Sequence, residues 1–193
     1  MTPPRTIALY LENIVQLVNE VDPLEVEAIT EALVRAWTDG RHVLLMGNGG
    51  SSATVSHIVA DLQKCIALET GKPLKALCLT DSTPLLSAWA NDTEWDNVFA
   101  PQVTCWAEAG DVAIGVSGSG NSMNVVHGMD AARKAGAQTI ALAGYSGGKL
   151  QDAVDHCIVV RSENMQRIED VHMILLHAIF LDVRARVRAI CPG

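Results

Sequence analysis

The stretch Asp111–Val126, DVAIGVSGSGNSMNVV, decides the fold class. Val112, Ile114 and Val116 lie in an apolar run of buried-strand type, a Ser/Gly/Asn loop follows from Ser117 to Ser122, and a helical pattern opens directly after it. That order places the loop at the carboxyl edge of a sheet and at the entrance to a helix. The first turn of a helix has backbone N–H groups without intrahelical partners and a partial positive charge, so an anion there meets ready-made donors. Glycines allow the backbone to approach closely, and the hydroxyls of Ser117, Ser119 and Ser122 add neutral donors.

The same order occurs upstream. His42–Met46 (HVLLM) reads as a buried strand and is followed by Gly47-Asn48-Gly49-Gly50-Ser51-Ser52 and a helix from Ala53 to about Ile66. On that helix His57 and Asp61 are four residues apart and share a face. Lys75–Leu79, Thr139–Ala143 and Cys157–Val160 read as further strands. Helices are expected around Leu85, Leu86 and Trp89, from Trp95 to Ala109, from the serine loop to about Ala135, and from Met165 to Val187. Two more precede the first strand, carrying Ile7, Leu11, Ile14, Val15 and Val18 and then, after Asp22-Pro23, Val26, Ile29, Leu33, Val34 and Trp37. The narrow apolar stripe of the first suits packing on its own domain or on a partner subunit.

Strands alternating with helices predict right-handed crossovers and a parallel sheet sandwiched by helices. The expectation is one α/β domain over residues 1–193, with the helices of about 5–38 added at its start. The dinucleotide fingerprint G-x-G-x-x-G and the G-x-x-x-x-G-K-[ST] loop are both absent.

Composition narrows the class. With 49% hydrophobic and 19% charged residues the chain is globular, and a net charge of −8 argues against a broad nucleic-acid surface while leaving room for a local phosphate pocket. Five cysteines form an odd set without a C-x-x-C pair, which points to reduced thiols and a cytoplasmic protein. The N-terminus lacks a signal-peptide pattern and no apolar run reaches about 18 residues, so neither secretion nor a membrane is expected.

Taken together, Gly47-Asn48-Gly49-Gly50-Ser51, His57-x-x-x-Asp61, Ala90-Asn91-Asp92, Gly110-Asp111-Val112, Ser117-Gly118-Ser119-Gly120-Asn121-Ser122, Gly147-Gly148-Lys149-Leu150 and Arg167-Ile168-Glu169-Asp170-Val171-His172, ending in His177, resemble the sugar isomerase (SIS) domain family. The resemblance runs from about Leu9 to Val187 and is greatest to the phosphoheptose isomerase, or sedoheptulose 7-phosphate isomerase, group. It implies a three-layer αβα sandwich on a five-stranded parallel sheet (the flavodoxin-like SIS fold), a homotetramer with sites at subunit interfaces, and interconversion of an aldose phosphate with a ketose phosphate. The leading substrate is sedoheptulose 7-phosphate, giving D-glycero-D-manno-heptose 7-phosphate through an enediol.

The resemblance also implies roles. Phosphate binding maps to Ser117, Gly118, Ser119 and Ser122 with Asn48, Gly49, Gly50 and Ser51; further substrate contacts map to Asp92 and Glu169. The acid and base map to Asp61 and His177, and one zinc ion per subunit to His57, Asp61, Glu169 and His177. The chain departs from the family pattern at Asp61 (usually Glu), Glu169 (Gln), Cys65 (often Arg) and Gly118 (Thr). A non-catalytic SIS protein that binds a phosphosugar or a replication-initiator partner is the second class; the pairing of an acid at 61 with His177 favours the enzyme.

Glu169 and His177 are eight residues apart, roughly 12 Å along a straight helix at 1.5 Å per residue. One ion between them needs side chains at full reach or helices from two subunits. His172 is the rival histidine, as a packing residue or a member of the site. Arg167 has two readings, a substrate contact or a surface pair with Glu163 at i+4 spacing, of which the pair is favoured, and Trp37, Trp89, Trp95 and Trp106 are expected to sit in the core or an interface.

Overall fold

In the computed structural model, which describes residues 6–191, helices α1 (Thr6–Asn19) and α2 (Pro23–Asp39) precede the first strand. The ends of the 1–193 span and residue 5 of the expected N-terminal helical region lie outside the described residues. Asp22 caps α2 by accepting from the Leu24 N–H at 2.9 Å, Pro23 opens it, and Gly40 ends it in the left-handed conformation. Then follow β1 (His42–Gly47), α3 (Gly49–Ala60), a π-helical turn (Asp61–Cys65), α4 (Ile66–Thr70), β2 (Lys75–Cys78), α5 (Thr83–Asp92), a 3-10 turn (Trp95–Asn97), α6 (Ala100–Trp106), β3 (Val112–Ser117), α7 (Met123–Lys134), β4 (Gln138–Gly144), α8 (Gly148–Gln151), β5 (His156–Val160) and α9 (Met165–Ile190).

The five strands are all parallel and stand in the order β2-β1-β3-β4-β5. Every residue of β3 is buried, as parallel strands covered on both faces require. Two apolar cores result. One joins α1, α2, α3 and α9 to one face of the sheet, through Ile29, Leu33, Val55, Leu62, Val171 and Ile179 among others. The second joins α6 and α7 to the opposite face through Val98, Phe99, Val103, Val125 and Met129. The chain order reverses between β1 and β3, and at such a switch point the loops leave in opposite directions and open a crevice at the carboxyl ends of the strands.

Two helices differ from expectation. The helix expected from Trp95 to Ala109 is split into a 3-10 turn and α6, because Pro101, which has no N–H, sits in the first turn of α6. Helix α3 begins at Gly49 rather than Ala53, which makes Gly49, Gly50 and Ser51 first-turn residues instead of loop. Its continuation is broken at Asp61 by the π turn.

Helix α1 packs on its own chain through Ile14 and Leu17, and the Tyr10 hydroxyl donates to Asp170 Oδ2 at 2.6 Å, which pushes the Tyr10 phenol up to about 12. The opposite side of α1 leaves Ile7, Leu11 and Val15 exposed. Trp37 is buried and its indole N–H donates to Lys72 O at 2.9 Å, whereas Trp95 and Trp106 are about half exposed in the single chain.

Candidate functional site

The serine loop leaves β3 at its carboxyl end. Ser117 is buried and its Oγ lies 3.0 Å from Ser122 Oγ across the mouth of α7. Gly120 N–H donates to Ser117 O at 3.0 Å, the Asn121 N–H donates to Ser119 Oγ at 3.1 Å, and Asn121 Nδ2 donates to Ser119 O at 3.0 Å. These bonds turn the loop back on itself before α7 starts. Ser122 occupies the cap position of α7 without a side-chain bond to the first turn. The neutral hydroxyls and the positive end of α7 together suit a phosphate.

Gly120 has φ +66°, and a side chain there would run into the Gly147 carbonyl. Only glycine satisfies both conditions. Gly118 is bare for another reason: Met165 at the start of α9 fills the space its side chain would take. The departure at 118 is thus matched by a bulky neighbour.

Across the switch point the first loop is tied to the second. Asn48 Nδ2 donates to Asn124 Oδ1 at 2.9 Å and Asn124 Nδ2 donates back to Asn48 Oδ1 at 2.9 Å, while Asn124 Oδ1 also accepts the Val125 N–H at 2.9 Å. Asn48 stands at the cap position of α3, yet its amide goes to α7 rather than to its own helix. Ser51 is buried in the first turn of α3, and Ser52 Oγ donates to Thr80 Oγ1 at 2.8 Å. Asn124 was missed by sequence reasoning; its position next to the cap of α7, with a polar side chain inside an apolar helix start, was the available signal.

At the far end of α3 three chemical groups converge. His57 Nε2 lies 2.9 Å from His177 Nε2, with the rings at 86°; Asp61 Oδ2 is 3.6 Å from His57 Nε2 and 3.9 Å from His177 Nε2. All three offer ligand atoms within 4.8 Å of one another. Two imidazole nitrogens and a carboxylate oxygen are the donor set that zinc takes, so these residues fit the metal that the resemblance implies. The π turn begins at Asp61, and Cys65 in the same turn lies with its Sγ 3.8 Å from Asp61 Oδ1. One carboxylate oxygen thus faces the imidazoles and the other faces Cys65.

Glu169 is not in this group. Its carboxylate lies against Gly50, where an added Cβ would stand 2.7 Å from Oε1 and 2.8 Å from Oε2. Glu169 meets α3 at its first turn and His177 meets it at His57, seven residues on, so the eight-residue spacing on α9 is matched along α3. The two helices run side by side in the same direction, and the four-ligand set is not brought together in one chain for that reason. The three-residue cluster forms without a second subunit.

The remaining candidates separate. Asp92 is exposed at the end of α5 and accepts from Asn91 Nδ2 at 2.8 Å, outside the cluster. His172 is buried, with Nε2 donating to Ala143 O at 3.1 Å, and burial pushes its pKa down to about 4, which marks a neutral packing residue. Among the described residues Arg167 makes no ion pair with Glu163; its guanidinium stacks over the Tyr10 ring, 5.7 Å from the centroid. Arg167 follows the α9 cap, where Asn164 Oδ1 accepts the Arg167 N–H at 3.0 Å.

The chain matches the SIS domain family over residues 9–144. It is 42% identical over 147 residues to the phosphoheptose isomerase of Aquifex aeolicus, covering 76% of each chain. It is 40% identical over 151 residues to the probable phosphoheptose isomerase of Thermoplasma acidophilum, covering 78% of this chain and 82% of that one. Two solved structures are similar throughout: the phosphoheptose isomerase of Neisseria gonorrhoeae, with a TM-score of 0.86 and 30% identity over 95% of this chain and 100% of that one, and that of Francisella tularensis, with a TM-score of 0.88 and 27% identity over 96% and 100%.

Proposed function

This chain belongs to the SIS domain family and is an aldose–ketose isomerase of the phosphoheptose isomerase type, and from that membership we propose that it converts sedoheptulose 7-phosphate to D-glycero-D-manno-heptose 7-phosphate. The observation that carries the substrate and the residue roles is the two-ended crevice. The serine loop and α7 offer donors to a phosphate at one end, and His57, Asp61 and His177 converge at the other, with the Asn48–Asn124 pair holding the two loops together.

In the proposed reaction the phosphate rests on Ser117, Ser119 and Ser122 and on the first turn of α3 at Gly49, Gly50 and Ser51. Asp61 takes the proton from the carbon beside the carbonyl and returns it to the neighbouring carbon. His177 carries the proton between the two oxygens as the enediol forms and collapses. Zinc held by His57, Asp61 and His177 would supply Lewis-acid polarisation of the substrate oxygens. Glu169, beside Gly50, serves the substrate rather than the metal, and Asp92 is assigned a substrate contact on the resemblance.

We further propose that one SIS domain makes up the functional unit, that it works in the cytoplasm, and that it assembles as a homotetramer. All five cysteines are free, which supports a reducing compartment. Ile7, Leu11 and Val15 on α1 and Ile174 and Leu181 on α9 are exposed in a single chain, which supports a covering subunit. Light scattering of Leu11→Glu, expected to lower the assembled mass, tests the last point. Among the described residues no helix is long and apolar enough to cross a membrane.

The deciding experiment incubates the purified protein with sedoheptulose 7-phosphate, with and without zinc, and follows aldose formation. Turnover is expected. Inactivity on a panel of ketose phosphates together with tight binding would replace the enzyme by the binding protein.

A further inference from the structure

We propose that Lys149 is the cation that neutralises the substrate phosphate at the serine loop, a binding residue supplied by the β4–α8 turn rather than by the loop itself. The inference rests on the serine loop being the phosphate end of the site. A phosphate monoester brings a charge of about −1.5 to −2 near neutral pH, and the donors that the loop offers are neutral hydroxyls and backbone N–H groups. A helix terminus contributes the equivalent of about half a charge. On a chain of net charge −8, a full positive charge at this spot has a clear part to play.

The structure brings Lys149 to that spot by locking its turn onto the loop. Gly120 and Gly148 pack backbone to backbone, so that a Cβ on Gly148 would stand 2.6 Å from the Gly120 carbonyl carbon. Leu150 N–H donates to Gly120 O at 3.0 Å, and the Lys149 N–H donates to Asn121 Oδ1 at 3.2 Å. Lys149 is therefore anchored by its own N–H and that of the next residue, with Gly148 packed against Gly120 on the preceding side.

Its side chain then extends to the mouth of α7. Lys149 Nζ lies 3.2 Å from Met123 Sδ, on the first residue of the helix that Ser122 caps. A thioether is a weak acceptor. Among the described residues the ammonium makes no ion pair, in contrast to Lys134, which is held by Asp130 at 2.6 Å. An exposed ammonium without a carboxylate, on a backbone fixed against a serine loop, is free to swing onto an incoming phosphate as a point charge.

The test compares wild type, Lys149→Met and Lys149→Arg, using inorganic phosphate as the binding probe and sedoheptulose 7-phosphate as the substrate. For Lys149→Met the phosphate Kd and the substrate KM are expected to rise about tenfold to a hundredfold, with kcat changed by less than about threefold. Lys149→Arg is expected to recover most of the binding, and the dependence of Kd on salt to flatten in Lys149→Met. Unfolding of each variant by denaturant serves as the control for folding. If Lys149→Met binds phosphate as wild type does, the assignment of Lys149 is overturned while the loop reading stands. If wild type binds neither phosphate nor phosphosugar, the loop reading fails and Lys149 with it.

Discussion

His57 and His177, 120 residues apart in sequence, present their Nε2 atoms to each other at 2.9 Å with perpendicular rings. Two protonated nitrogens cannot face each other at that distance, so the pair holds at least one lone pair directed inward, beside Asp61 Oδ2. Equilibrium dialysis with zinc should therefore give about one ion per chain. His57→Ala and His177→Ala should each weaken binding by at least about tenfold, and Glu169→Ala should leave it within about threefold. A large loss of zinc in the Glu169 variant would return that residue to the metal.

The proton-transfer roles separate from binding. Asp61→Asn and His177→Gln are each expected to lower kcat by about 10²–10⁴-fold, the usual contribution of a positioned acid or base. Inorganic phosphate should still bind both variants within about threefold of wild type. Unchanged turnover in either one removes that residue from its role.

The Asn48–Asn124 pair joins the cap of α3 to the first turn of α7 by two mutual amide bonds. Removing one partner leaves the other, and the Val125 N–H in the case of Asn124, without its bond. Asn124→Ala should cost about 1–3 kcal/mol in denaturant unfolding, and the Asn48→Ala, Asn124→Ala double variant less than the sum of the singles.

His172 makes stability depend on pH. Its folded pKa is held down near 4 against an ordinary value of 6.5, so between these values the unfolded chain binds a proton that the folded chain does not. The contribution is fully present above pH 6.5, is lost as the pH falls toward 4, and amounts to on the order of 3 kcal/mol. Urea titrations from pH 7 to pH 4 should show a shallower fall in His172→Asn than in wild type; equal slopes would contradict the buried neutral imidazole.

Met165 occupies the volume above Gly118. Gly118→Thr should lower stability by about 1–3 kcal/mol through overpacking, and Met165→Ala should reduce that penalty by making room. Thermal unfolding of the two singles and the double variant measures the coupling. Independent, additive effects would separate the two positions.

Much of this molecule is written locally. Val112–Val116 and His42–Met46 are apolar runs short enough to be strands and are each followed by glycine and serine, so periodicity and turn chemistry sufficed to find these strands and to put both loops at one edge, while their order across the sheet came from the fold. The spacing of His57 and Asp61 likewise put both on one helical face, and the rise per residue already set Glu169 and His177 roughly 12 Å apart along a straight helix, which left a shared ion to side chains at full reach or to two subunits. Local pattern failed where a single residue broke it, as Pro101 does in the helix expected from Trp95 to Ala109.

Other facts needed the folded chain. Whether Glu169, His172 or His177 would reach His57 depends on how α9 lies along α3, and a helical pattern specifies which residues share a face but not which turn of a distant helix they meet. Packing on the shared core aligned the two helices in parallel, which put His177 at His57, Glu169 at Gly50 and His172 inside against Ala143. The mutual amide bonds of Asn48 with Asn124 and the seating of the Lys149 turn on Gly120 were set the same way. The sequence by itself determined the elements, their order and the chemistry each could offer, because those follow from neighbours along the chain; the tertiary structure alone decided which of those groups meet, because that follows from burial of surfaces far apart in sequence.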